Sequence, residues 1–81
     1  MRIDVVGPGC PNCQTLEQNA RDAAQELGLE AEFDKITDMS KLADLGILMT
    51  PGLMVDGEVK SSGRVLSKSQ IVEILKSNNT Q

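Results

Sequence analysis

The two cysteines of the chain, Cys10 and Cys13, stand three residues apart in Gly7-Pro8-Gly9-Cys10-Pro11-Asn12-Cys13. At that spacing on the first turn of a helix, two sulfurs come within bonding reach, so the pair can close a small disulfide ring or grip one soft metal ion. The alternative is that both are inert small hydrophobes or a structural staple. A staple is a weak reason for the arrangement, because so short a loop hardly restrains the unfolded chain. Thiol-disulfide exchange is therefore the leading reading, with soft-metal binding second.

The elements around the cysteines assign each a part. The apolar run Ile3, Val5, Val6 precedes them, and a helical pattern follows. Cys10 falls at the helix N-cap and Pro11 at the first helical position, where the missing amide hydrogen has no intrahelical acceptor to lose. A thiolate at Cys10 would face the open N–H groups of the first turn and the positive end of the helix dipole. Its pKa is expected below the free-thiol value of about 8.5, which makes Cys10 the nucleophile. Cys13 lies on the stripe of Leu16, Ala20, Ala23, Ala24 and Leu27 and is expected to turn inward. An activated outer thiol followed by a sheltered one is what exchange requires: Cys10 attacks a target disulfide, and Cys13 resolves the mixed disulfide.

Composition narrows the field. With 81 residues the chain is expected to form a single domain, residues 1–81, with a modest core. A net charge of −4 and a single aromatic residue, Phe33, leave neither a basic groove nor stacking rings for nucleic acid. The lack of histidine removes the commonest metal ligand and the usual acid-base side chain. No apolar run approaches the length of a membrane span, and Met1-Arg2 leads directly into a strand without a signal-like stretch. A cytoplasmic monomer is expected, and two cysteines in a reducing compartment fit catalysis or metal traffic better than a scaffold.

Residues 2–6 read as a central strand, with Ile3 and Val5 on one face and Asp4 and Val6 on the other. The helix ends near Leu27 with Gly28 beyond it. Residues 30–36 form a charged edge strand, parallel to the first. Asp38 caps a short helix that Gly46 closes. Residues 53–55 and 58–61 are hairpin strands joined by Asp56-Gly57, a type I′ signal. Ser67 and Gln70 form a capping box for a last helix with Ile71, Ile74 and Leu75 inward, and residues 77–81 are a polar frayed tail. The order is βαβαββα, an α/β fold with a four-stranded mixed sheet and helices on both faces, the minimal thioredoxin-like plan.

The chain thus resembles the thioredoxin and glutaredoxin superfamily, most closely its very small microbial branch of redox-active disulfide proteins. Three features carry the resemblance: Cys10-Pro11-Asn12-Cys13 after strand one, Thr50-Pro51 before strand three, and the run Leu53 to Val59 followed by Leu66 to Gln70. It implies a disulfide oxidoreductase whose only redox group is the Cys10–Cys13 disulfide, with no bound cofactor. Its partners would be a donor disulfide reductase and disulfide-containing protein targets. It implies also that Pro51 is cis and lies against the dithiol, and that the backbone at Thr50 pairs with the bound target. Thioredoxins place tryptophan where Gly9 stands; the proline-first order looks like glutaredoxin, which usually has tyrosine at the position of Asn12. Asp4, six residues before Cys10, sits at the offset where thioredoxins keep a carboxylate that helps deprotonate the resolving thiol, so it is the candidate base. Heavy-metal-associated domains and copper chaperones offer the rival reading, since Gly7-Pro8-Gly9-Cys10-Pro11-Asn12-Cys13 fits their Gly-x-x-Cys-x-x-Cys pattern and two thiolates suit Cu(I). Those proteins run βαββαβ and lack a Thr-Pro element before the hairpin.

Overall fold

The computed structural model describes residues 1–9, 11–47 and 49–79. Five residues, Arg2–Val6, form β1, and all but Arg2 are buried, as a strand covered on both faces requires. The long helix α1 spans Pro11–Glu26, β2 spans Glu32–Ile36, and a 3-10 turn at Met39–Lys41 leads into the one-turn helix α2, Leu42–Leu45. β3 (Gly52–Val55), β4 (Glu58–Ser62) and helix α3 (Lys68–Asn79) complete the chain. The sheet order is β2-β1-β3-β4, with β1 parallel to β2 and antiparallel to β3, and β3 antiparallel to β4. This is the expected βαβαββα plan.

The pleat of β1 divides the core. Ile3 and Val5, with Leu53 and Val55 of β3, pack under α1 and α3, whose contribution is Leu16, Ala20, Ala23, Ala24, Ile71, Val72 and Leu75. Val6 and Met54 face the other way, against Ile47 and the half-buried Ile36, Leu42 and Leu45 around α2. Alanines at three of the buried α1 positions let the helix lie close to both sheet and α3. α1 closes with Leu29 N–H bonded to Ala24 C=O at 3.0 Å and Gly28 N–H to Gln25 C=O at 3.1 Å, Gly28 standing at φ 66°, which is the six-to-one closure expected there.

Local expectations hold where the signal is a cap or a turn. Asp38 Oδ1 accepts from the Ser40 amide at 3.0 Å and from its hydroxyl at 2.6 Å. Ser67 and Gln70 exchange both bonds of the capping box, at 2.9 and 3.2 Å. Asp56 and Gly57 adopt φ of 51° and 85°, the paired positive values of a type I′ turn. Asp56 also accepts from the Arg2 amide at 2.8 Å, donates its own amide to Arg2 C=O at 2.8 Å, and accepts from Asn78 Nδ2 at 2.8 Å.

Four boundaries shift, the first of them β3, which begins at Gly52 and not at residue 53 because Gly52 already pairs with Val6. β2 begins at Glu32, not at residue 30, because the opposing ladder starts with Arg2 and the Glu32 amide already reaches back to Met1 C=O. β4 continues through Ser62 and carries a bulge: Leu53 pairs with Ser61 and Met54 with Val59, leaving Lys60 as the extra residue. Helix α3 runs through Asn79 in place of a tail from Ser77, fastened by the Asn78 bond to Asp56. Thr80 and Gln81, the end of that expected tail, lie outside the described residues.

Candidate active site

β1 delivers the chain to Gly7, whose amide donates to Ile36 C=O at 2.9 Å and so extends the parallel register one step beyond the strand. The loop then turns back into α1, which opens at Pro11 as expected of a proline at the first helical position. Gln14 Nε2 donates to Gly9 C=O at 3.2 Å, tying the loop to the first turn of the helix. Cys10 lies outside the described residues, and with it the expectations for its exposure and acidity and for its pairing with Cys13.

Cys13 is buried, 5% exposed, as its place on the apolar stripe demands. Its sulfur occupies the space above Gly7: a Cβ at residue 7 would overlap Cys13 Sγ, with Cys13 Cβ 3.5 Å and Thr50 Cβ 3.8 Å from the same point. Gly7 is thus the seat of this thiol, and Thr50 flanks it. The Thr50–Pro51 peptide bond is cis, and Pro51 is buried with its carbonyl accepting from the Gly63 amide at 2.8 Å. The strand that begins there therefore starts close to the Gly7 backbone against which the Cys13 sulfur sits.

Asp4 is buried, 6% exposed, but the structure does not bring it to Cys13. Alternation along β1 sends Asp4 to the α2 face with Val6, whereas α1 and its cysteine cover the face of Ile3 and Val5. Asp4 Oδ1 accepts from Arg2 Nε at 3.2 Å, and the same guanidinium reaches Asp34 Oδ2 at 2.8 Å. The six-residue offset counts along the chain correctly, yet the residue whose side chain faces the Cys13 cavity is Val5. The expected base is on the wrong side of the sheet.

What does stand beside Cys13 is a partly open cavity of about 20 Å³ whose lining includes Val5, Gly7, Gln14, Glu17, Lys35 and Thr37. Glu17 lies four residues after Cys13 on the same helix face, and Lys35 projects from β2 on the α1 side. Glu17 Oε1 meets Lys35 Nζ at 3.0 Å and Glu17 Oε2 meets Arg21 Nε at 2.9 Å. Burial pushes the Glu17 carboxyl up, but the hydrogen bonds and charges of Lys35 and Arg21 outweigh it and hold the group below its ordinary value. Arg21 in turn lies 4.6 Å over the Phe33 ring, which fixes it against β2. The i,i+4 spacing of Cys13 and Glu17 was readable in the sequence; the arrival of Lys35 from another strand was not.

Residues 1–76 match the family model described as thioredoxin domain. The chain belongs to the thioredoxin family. Members of that family are thiol-disulfide oxidoreductases, and the chain is a disulfide oxidoreductase of this kind. It is 53% identical over 75 residues to a thioredoxin of Methanothermobacter thermautotrophicus, covering 93% of this chain and 97% of the relative. A thioredoxin of Methanocaldococcus jannaschii is 37% identical over 75 residues, covering 93% and 86%. Among the described residues, no helix is long and apolar enough to cross a membrane, and no group of three or more His, Cys, Asp or Glu is placed to hold a metal ion.

Proposed function

We propose that this chain passes two electrons to target disulfides through a Cys10–Cys13 dithiol, with no bound cofactor. The observation that carries the reading is the seat of Cys13: a sheltered thiol on Gly7, one turn into α1, with Thr50 and cis Pro51 alongside. The Cys10 thiolate attacks one sulfur of the target and forms a mixed disulfide. The backbone at Thr50 aligns the target segment. The sulfur of Cys13 then bonds to that of Cys10 and releases the second target thiolate, so one disulfide is reduced and one is formed. A donor disulfide reductase returns the protein to its dithiol form, and its targets are disulfide-containing proteins. It works as a single domain and a monomer in the cytoplasm.

The test is insulin reduction by the parent, Cys10→Ser and Cys13→Ser proteins, run beside a Cu(I) competition titration. Activity in the parent that falls in both variants, with weak copper affinity, is expected. Equal activity in all three, or very tight copper binding with sluggish exchange, would overturn the assignment in favour of inert cysteines or metal traffic respectively.

A further inference from the structure

Charge is unevenly spread along this chain. The protein carries a net charge of −4, yet residues 59–72 hold Lys60, Arg64 and Lys68 and neither Asp nor Glu. Residues 5–16 and 45–55 hold no charged residue at all. These three segments meet where the target is proposed to lie. Thr50 flanks the Gly7 seat of Cys13, and Pro51 C=O accepts from the Gly63 amide at 2.8 Å. Met49 lies across Gly63, where an added Cβ would stand 2.9 Å from Met49 Cβ. Met49 and Val65 are exposed, at 64% and 39%, so this end of the sheet presents apolar surface.

Arg64 stands between Gly63 and Val65 and is exposed. Most other cations are already engaged: Arg2 with Asp4 and Asp34, Arg21 and Lys35 with Glu17, Lys60 with Glu58, and Lys68 with Glu26. Among the described residues Arg64 pairs with no carboxylate. Its guanidinium keeps a planar fork of donors whose geometry matches a carboxylate. We infer that Arg64 is a specificity-determining residue, recognising a carboxylate side chain next to the half-cystine of a protein target. Acidic disulfide segments are then reduced in preference to neutral or basic ones. This rests on the dithiol reading and adds to it the class of target. The overall negative charge of the chain works against an acidic target at long range, where salt screens it. The lack of carboxylates in the three segments lets one local cation decide.

The test uses three cyclic disulfide peptides that differ only at one position beside a half-cystine, which is Glu, Gln or Lys. Each is mixed with the pre-reduced protein, loss of oxidised peptide is followed by chromatography, and each rate is divided by that with dithiothreitol to remove intrinsic reactivity. At low salt the parent is expected to favour the Glu peptide over the Gln peptide about three- to five-fold, the strength of one exposed ion pair. The Lys peptide should be slowest. The preference should fade at about 1 M salt, where the screening length is about 3 Å. Arg64→Gln should bring the three rates together, and Arg64→Glu should reverse their order. Lys41→Gln removes the same charge from the cleft beside β2 and should leave the preference intact. Equal normalised rates in the parent, a preference that survives Arg64→Gln, or one that Lys41→Gln abolishes equally, overturns the inference. Slowing of all three peptides by the same factor in Arg64→Gln overturns it too, because a structural role has no charge preference. A parent that reduces neither the peptides nor insulin overturns the dithiol reading instead, and the inference with it.

Discussion

If Cys13 owes its position to the bare backbone of Gly7, then Gly7→Ala must strike that one sulfur before it strikes anything else. The added methyl overlaps Cys13 Sγ and is hemmed in by Cys13 Cβ at 3.5 Å and Thr50 Cβ at 3.8 Å. Sliding α1 away is not a cheap escape, because Leu16 and Ala20 are fully buried on the same side of the helix. The remaining response is rotation of the cysteine side chain, and forcing it off its staggered well costs about 0.5–1.5 kcal/mol. Together with local repacking, the total is expected in the usual range for overpacking, ~1–3 kcal/mol. For a domain of this size that is a fall in Tm of about 4–8 °C per kcal/mol, measured by thermal melting of the reduced protein. A double-mutant cycle isolates the contact. With Cys13→Ala the sulfur is gone, and Gly7→Ala in that background should cost less than about 0.5 kcal/mol, leaving a coupling of ~1–3 kcal/mol. Equal destabilisation in both backgrounds would refute the idea that Gly7 is there to seat the thiol.

Other outcomes follow from neighbouring features. Asp4→Asn should leave the rate of insulin reduction at the parent value, since its carboxylate lies across the sheet from Cys13; a slowing of about ten-fold or more, the effect of losing a positioned base, would contradict the placement. Ser67→Ala removes one half of the capping box and should destabilise the protein by ~0.5–2 kcal/mol, read by denaturant titration, with the exchange rate unchanged. The Glu17 carboxyl is held below its ordinary value in the folded state, so its contribution to stability is complete above the ordinary carboxylate range and disappears as pH falls through the folded value. Tm measured from neutral to acid pH should therefore decline less steeply in Glu17→Gln than in the parent.

Much of the architecture could be read from local chemistry. The Pro11 helix start, the Asp56-Gly57 turn and the Ser67–Gln70 box are each determined by a few adjacent residues, and each occurs where expected. The inward turn of Cys13 followed from helical periodicity. Failures came where the answer depended on another element. The start of β2 was set by where its partner begins, and the last turns of α3 by a bond from Asn78 to a distant hairpin. Asp4 shows the limit most clearly. Counting back from a cysteine measures chain length, while the direction of a strand side chain is decided by the pleat, and one residue of difference in the loop moves the position from one sheet face to the other. Glu17 was visible as a helical neighbour of Cys13, but its pairing with Lys35 needed the β1–β2 register.

The three bonds converging on Asp56 fix Arg2 and Asn78 at one hairpin, at the pole of the sheet where β1 begins, while Gly7 and Cys13 occupy the pole where it ends. Anything spliced on before Arg2 or after Asn78, whether an affinity handle, a fluorescent reporter or a second copy in tandem, is therefore attached at the pole opposite Cys13. Immobilising the molecule through that pole should leave the end that carries Gly7 and Cys13 turned toward whatever protein it meets.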